Sequence, residues 1–269
     1  QETNEVGFLG EGINDAPALK IANVGLVVDD ASDISREAAD ILLLRKSLLV
    51  IMDGIKEGRE VFTNTVKYIR ATLASNFGNF YAVSLVSLII DFLPMLPIQL
   101  LLVNLFSDFP MISIATDNTD EESLKRPRSY NIRDIAIITT ILGLVSTFFD
   151  FVYFSFFVRS GMEILRTNWF IASILTELVF LFSIRTHKFF LRGSAPSIPL
   201  LLLTGLAAVS TIVIPYTFLG KQIFHFVPPS SDALIFILGI VFIYFIVTET
   251  VKLAYYRYVS PYISSDNSF

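Results

Sequence analysis

Residues 71–124 read ATLASNFGNFYAVSLVSLIIDFLPMLPIQLLLVNLFSDFPMISIATDNTDEESL, 54 positions without a single Lys or Arg. Soluble domains carry about 25% charged residues, so a basic-free, mostly apolar run of this length points to lipid surroundings. The whole chain agrees: of 269 residues, 53% are hydrophobic, 13% aromatic and only 17% charged, with a mean hydropathy of +0.63. Twenty Lys and Arg against twenty-five Asp and Glu give a net charge of −5, which leaves no basic face for a nucleic-acid backbone. The absence of cysteine excludes a disulfide scaffold, a Cys-ligated zinc site and a thiol nucleophile.

Working outward, six apolar stretches approach the ~20 residues a spanning helix needs: 72–92, 95–115, 134–158, 168–185, 197–218 and 232–255. Helices are expected, because an open sheet leaves backbone groups unpaired in lipid. Basic residues set the orientation. Lys125, Arg126, Arg128, Arg133, Arg185, Lys188, Arg192, Lys252 and Arg257 fall on one side, and Arg159, Arg166 and Lys221 on the other. Nine against three puts both termini in the cytoplasm.

Residues 1–70 hold eight of the twenty basic residues and read as a soluble piece. Gln1 opens a polar stretch with no signal-peptide pattern, and the chain reads as part of something longer. Apolar residues at 48, 52, 55, 62, 66, 69 and 73 share one helical face. They predict one long helix that leaves the soluble piece and enters the first span. Nearer the N-terminus, the apolar run Val6–Leu9, the turn Gly10-Glu11-Gly12, then Asn14-Asp15 and Pro17 predict strand, turn and helix. Val24–Asp29 predicts a second strand, and a helix is expected around Ile34–Leu44. This order suits the end of a doubly wound α/β domain, whose ligands sit at strand C-termini. A Gly-x-Gly turn by itself is a weak signal.

The segment Gly10-Glu11-Gly12-Ile13-Asn14-Asp15-Ala16-Pro17-Ala18-Leu19 closely resembles the hinge motif of P-type ATPases, Gly-Asp-Gly-x-Asn-Asp-x-Pro-Ala-Leu. Ala38-Ala39-Asp40-Ile41, Gly58-Arg59 and the six spans also fall where that family has them. The resemblance implies a mainly α-helical membrane protein with six transmembrane helices, preceded by the C-terminal fragment of a HAD-like α/β phosphorylation domain. It divides the chain into that fragment (1–45), a stalk helix (46–71), a cation-transport domain (72–259) and a cytoplasmic tail (260–269). It also implies that Glu11, Asn14 and Asp15 help hold the catalytic Mg²⁺. Glu11 is one methylene longer than the family's Asp. Mg²⁺ demands near-octahedral oxygens at about 2.0–2.1 Å, so weakened binding is expected. The family's phosphorylated Asp, nucleotide-binding domain and actuator do not occur in these residues. ATP would act only through other segments, and this chain alone is expected to be inactive.

Polar groups inside spans carry a cost and tend to mark function. Asn76 and Asn79, three apart, share a face beside Ser75, and Asn104, Ser107 and Asp108 cluster on the next span. Pro110 cannot donate to Phe106, so a kink or unwound turn is expected there, with carbonyls left for an ion. These ligands are all oxygens, which favours Mg²⁺, Ca²⁺ or Mn²⁺ over copper or zinc. By the same resemblance, Asn76, Asn104, Ser107 and Asp108 match positions that bind the transported ion, and Asn79 stands where calcium pumps have Glu. One firm carboxylate among amides suits Mg²⁺, which takes one or two.

Asp91–Pro97, Asp117-Asn118, Phe149-Asp150 and Ile184-Arg185-Thr186 resemble the bacterial magnesium-transporting subclass. The expected function is therefore magnesium transport by an ATP-driven pump in a bacterial plasma membrane. The alternatives are a calcium or manganese pump, or a non-catalytic membrane module. A channel or secondary carrier would favour internal repeats, and spans 1–3 and 4–6 show none.

Glu177 is expected either to add an ion ligand or to bond locally with Ser173 and Thr176. Asp150 is read as a structural hydrogen-bond acceptor, Asp91 as solvated, and Glu249 with Lys252 as a surface pair. The loop residues Lys125, Arg126 and Arg128 carry the positive-inside signal, and the family resemblance adds a coupling role. His187 and His225 read as isolated, without metal-ligand spacing. Trp169, Tyr255, Tyr256 and Tyr258 are expected in an interfacial belt.

Overall fold

The computed structural model describes residues 4–127 and 129–261, which divide into two compact units, Gln1–Gly58 and Arg59–Phe269. In the first, β1 (Gly7–Gly10), β2 (Val24–Val28) and β3 (Ile41–Leu43) form a parallel sheet in the order β1-β2-β3. Parallel neighbours need crossovers, and α1 (Ala16–Ile21) and α2 (Asp33–Ala38) supply them. Pro17 sits in the first turn of α1, where its missing N–H costs nothing. The side chain of Ser32 caps α2 by accepting from Ser35 N. A small core of Leu19, Val27, Val28, Ala31, Ala38 and Leu43 joins the layers.

The helix expected around Ile34–Leu44 stops at Ala38, and β3 takes the place of its second half. Ala39 is extended (φ −88°, ψ 154°). Asp40 then pins the chain beside β2. Its N–H donates to Gly25 O at 2.9 Å, and its carboxylate accepts from Gly25 N at 2.8 Å. These bonds outweigh the helical preference of Ala38-Ala39.

The apolar periodicity at 48–73 belongs to one helix, α3, of 39 residues (Leu48–Val86). It is followed by α4 (Pro97–Ile112), α5 (Glu121–Leu124), α6 (Ile132–Phe157), α7 (Met162–Ile184), α8 (Ile198–Val213), α9 (Phe218–Gln222) and α10 (Ser231–Tyr258). Among the described residues, five helical segments are long and apolar enough to cross a membrane: Pro97–Thr116, Ile132–Ser160, Met162–Ile184, Ile198–Tyr216 and Ser231–Tyr258. Six were expected. The remaining stretch is the C-terminal half of α3, which carries Arg70, Ser75, Asn76, Gly78 and Asn79 and ends at Val86 instead of 92. The fourth expected span begins at Met162, six residues early, because Gly161 reverses the chain with φ +106°, a conformation glycine adopts freely.

The bundle is organised around α7. Of its apolar window 89% is buried, against 28–44% for the other four segments, and it packs on α4, α6, α8 and α10. Lipid tails are as apolar as leucine, so close packing and polar contacts hold such helices together. Helices α3 and α6 meet at Gly78 and Gly143. A Cβ on Gly78 would lie 2.9 Å from Ser146 Cβ, and one on Gly143 would lie 2.9 Å from Phe77 Cβ.

Candidate functional site

In the sheet unit, Glu11, Asn14 and Asp15 gather just past the C-terminal end of β1. Glu11 and Asn14 are exposed and Asp15 is half-buried. Asp15 Oδ2 accepts from Gly12 N at 2.9 Å and Glu11 N at 3.0 Å. These two backbone bonds hold its carboxyl below the usual carboxylate range. The turn is anchored to α2, since Ser35 Oγ donates to Gly12 O at 2.6 Å. The donors are all oxygens, which fits a hard cation that completes its shell with water. No group of three or more His, Cys, Asp or Glu side chains placed to hold a metal ion occurs among the described residues.

In the bundle, two of the expected ligands meet from distant helices. Asn79 Nδ2 of α3 donates to Glu177 Oε1 of α7 at 2.7 Å. Ser107 Oγ (α4) donates to Val103 O at 3.0 Å, Ser75 (α3) lines a cavity beside Glu177, and Asp108 follows Ser107 on α4. Glu177 is 6% exposed. Its Oε2 is buried with no hydrogen-bond partner within ordinary distance among the described residues, beside a small cavity lined by Ser75, Ser146 and Tyr244. Local bonding with Ser173 and Thr176 is not its role, because Thr176 Oγ1 donates back to Ala172 and Ser173 carbonyls.

Asn76, Asn104 and Asp108 are exposed on the outer surface of α3 and α4. Asn104 and Asp108, four apart, lie on one face. The expected unwinding at Pro110 does not occur: α4 continues to Ile112 and tightens into a 3-10 turn over Ser113–Thr116. Pro110 and Met111 are buried, and Ser113 Oγ donates to Pro110 O at 2.6 Å. This packing holds the helical path despite the missing donor.

Asp150 is the hydrogen-bond acceptor expected of it, whereas Trp169, Tyr255, Glu249 and Lys252 resolve differently from their expected roles. Asp150 accepts from Trp169 Nε1 at 2.8 Å, which draws Trp169 into the core at 2% exposure instead of an interfacial belt. Tyr255 is buried likewise, its hydroxyl donating to Asp134 Oδ1 at 2.8 Å. Glu249 and Lys252 do pair, at 2.8 Å, but both are buried. Ser183 Oγ and Phe190 N also donate to Glu249, and carbonyls of Ser183 and Lys188 accept from Lys252.

At the end of the bundle bearing the 117–131 and 185–197 loops lies a network centred on Asp117. Its buried carboxylate accepts from Lys67 Nζ at 2.9 Å and from Arg185 Nε and Nη2 at 2.9 and 2.8 Å. Ser197 N adds a fourth bond at 3.1 Å. Burial pulls the Lys67 ammonium below the usual lysine range, against the opposing attraction of Asp117. Asn64 Nδ2 donates to Asp117 O at 2.7 Å, and Arg59 to Leu124 O at 2.7 Å. The loop therefore does grip α3, through an acid and carbonyls. Lys125 and Arg126 are exposed, and Arg128 lies outside the described residues. The signal available was Asp117 and Arg185, opposite charges directly following helices expected to end on the same side.

Comparison with known proteins fits this arrangement. Residues 92–254 match the family model "Cation transporting ATPase, C-terminus". The chain is 38% identical over 230 residues to the Magnesium-transporting ATPase, P-type 1 of Escherichia coli (strain K12), covering 83% of this chain and 26% of that protein. It is 40% identical over 225 residues to its counterpart in Salmonella typhimurium (strain LT2), covering 81% and 25%. The Calcium-transporting ATPase of Bacillus subtilis is 37% identical over 123 residues, covering 45% and 14%. The chain spans about a quarter of the length of the magnesium-transporting relatives. It belongs to the P-type cation-transporting ATPases and corresponds to their C-terminal membrane part.

Proposed function

We propose that this chain forms the ion-binding end of an ATP-driven magnesium pump, with Asn79, Ser107, Asp108 and Glu177 among the residues that hold the transported ion. The observation that carries this reading is Glu177: a carboxylate buried inside the bundle, held by Asn79, with one oxygen that finds no hydrogen-bond partner among the described residues. With Asp108 it makes two carboxylates, still within the one or two that Mg²⁺ takes while keeping waters. Asn76, Asn104 and Asp108 face outward from an apolar bundle. A central acid in hydrocarbon costs about 2.5–3.5 kcal/mol on insertion scales, which supports a further helix closing the site over that face.

On this reading, 1–45 is the end of a HAD-like phosphorylation domain, 46–71 a stalk and 72–259 a transport domain. The C-terminal half of α3 would be its sixth span, with both termini cytoplasmic. Glu11, Asn14 and Asp15 would help hold the catalytic Mg²⁺, which supplies charge neutralisation for phosphoryl transfer. ATP would be handled by segments outside this chain, leaving it inactive alone. The loop holding Lys125, Arg126 and Arg128 would pass movement between the two parts.

The test is ion-stimulated ATPase activity of the complete pump with Mg²⁺, Ca²⁺ and Mn²⁺, in Asp108→Asn and Glu177→Gln variants. Stimulation by Mg²⁺ that both substitutions abolish supports the reading. Stimulation by Ca²⁺ or Mn²⁺ alone favours the runner-up pump, which the match to the Bacillus protein keeps in view. Normal Mg²⁺-dependent turnover in both variants overturns the site.

A further inference from the structure

The two carboxylate oxygens of Glu177 have different surroundings. Asn79 Nδ2 satisfies Oε1 at 2.7 Å. Oε2 is buried and finds no hydrogen-bond partner among the described residues. A buried acceptor left unmade carries the full cost of its lost hydration, so such an oxygen points to an occupant beside it. Glu177 lines a cavity of about 10 Å³ with Ala74 and Ser75 of α3, Leu142 and Ser146 of α6, Phe180 of α7 and Tyr244 of α10. Two of these helices, α6 and α10, carry none of the residues proposed above to hold the ion.

Size and lining select the occupant. A single water needs a cavity of about 10–15 Å³ and two to four polar partners. This cavity supplies a carboxylate and three hydroxyl-bearing side chains, while Ala74, Leu142 and Phe180 close the rest. Mg²⁺ demands near-octahedral oxygens at about 2.0–2.1 Å, and one acid with three hydroxyls falls short of an octahedron. Tyr244 is fixed well enough to hold a water in one place. It is 3% exposed, and its ring packs edge-on against Phe149 with centroids 5.3 Å apart and planes at 79°. Ser146 lies on the α6 face that meets α3, since a Cβ on Gly78 would come within 2.9 Å of its own.

We propose that this cavity seats one resident water between Glu177 Oε2 and the hydroxyls of Ser146 and Tyr244, which makes Ser146 and Tyr244 positioning residues of the ion site. A carboxylate offers about four lone-pair sites. Asn79 takes one and the water a second, and the others are left for the ion in a fixed direction. The inference rests on the reading of Glu177 as an ion ligand and adds a source of selectivity to it. Mg²⁺ requires a near-ideal shell, whereas Ca²⁺ accepts a flexible one of six to eight oxygens. A carboxylate pinned through both oxygens favours the first ion over the second.

Two measurements test the water and its role. In the full chain in lipid nanodiscs, a short X-ray pulse turns bound water into hydroxyl radicals that oxidise the side chains it touches. Tyr244 should be oxidised despite its burial, and Ala74→Val, which fills the cavity and removes no hydroxyl, should protect it. In the complete pump at constant Mg·ATP, Tyr244→Phe and Ser146→Ala should each raise the Mg²⁺ concentration for half-maximal stimulation about two- to tenfold, as for one lost hydrogen bond. Maximal turnover should change less than that, and less competing Ca²⁺ should be needed to halve the activity. An unoxidised Tyr244 in the unaltered chain, oxidation that persists in Ala74→Val, or an unchanged requirement for Ca²⁺ overturns the proposal. Undiminished Mg²⁺ stimulation in Glu177→Gln removes the ion-site reading and this role with it. Loss of stimulation in Glu177→Gln beside unchanged half-maximal values in Tyr244→Phe and Ser146→Ala removes the positioning role alone.

Discussion

Asn79 and Glu177, 98 residues apart in sequence, meet at 2.7 Å where α3 crosses α7. The amide is the donor that holds one carboxylate oxygen, and the other oxygen has no hydrogen-bond partner among the described residues. Two residues that look alike as polar insertions in apolar helices thus do different work, one orienting the other. Asn79→Ala should leave the buried acid without its fixed donor, at a cost of about 1–3 kcal/mol. In a Glu177→Gln background the same change should cost measurably less, because contacting residues couple by about 0.5–3 kcal/mol. Reversible unfolding of the four proteins in detergent measures the cycle, and additive effects would refute the pairing.

Asp117 ties α3 to both loops, receiving Lys67, Arg185 and the Ser197 N–H. Breaking a buried ion network by removing one partner leaves uncompensated charge and costs about 3–5 kcal/mol. Asp117→Asn should therefore destabilise the chain far more than Glu122→Gln, whose pair with Lys188 is largely exposed and worth about 0–1 kcal/mol. Pairing Asp117→Asn with Lys67→Met should recover part of the loss. Thermal unfolding of the three variants decides the matter. Equal melting temperatures for Asp117→Asn and Glu122→Gln would contradict a load carried at Asp117.

Packing at the α3–α6 crossing predicts opposite outcomes for glycines on one helix. Gly78→Ala would press a methyl 2.9 Å from Ser146 Cβ and should cost about 1–3 kcal/mol as overpacking. Ser146→Gly should relieve it. A Cβ on Gly58 would meet nothing within 4 Å among the described residues, so Gly58→Ala should gain up to about 1 kcal/mol of helix propensity. The comparison uses unfolding midpoints under identical conditions.

What the sequence disclosed follows from which signals are local. Apolar runs and polar insertions are local, so the helices and the candidates Asn76, Asn79, Asn104, Ser107, Asp108 and Glu177 could be marked from composition alone. Pairings across helices are not local. Nothing in the spacing told that Glu177 would receive Asn79, that Glu249 and Lys252 would be buried, or that His187 would lie between Arg70 and Tyr256. β3 went unseen because its cause is Asp40 reaching back to Gly25. The expected break at Pro110 failed because local chemistry removes a hydrogen bond, while burial of Pro110 and Met111 keeps the helical path.

The turn at Glu11–Asp15 supplies a prediction with a definite sign in pH. The Gly12 and Glu11 N–H groups lower the Asp15 carboxyl below its usual range, so the native turn binds this proton less readily than the unfolded chain. Its contribution is therefore complete above the ordinary Asp value of about 3.9. It is lost as pH falls further, through the lowered native value. Protection factors for the Glu11 and Gly12 amides, corrected for intrinsic exchange, should hold from pH 7 to pH 5 and drop below about pH 4. In Asp15→Asn the side chain keeps an acceptor but cannot titrate, so protection should be lower at pH 7 and flat with acid. A parallel acid-induced drop in Asp15→Asn would place the titrating group elsewhere and remove Asp15 as the organiser of the turn.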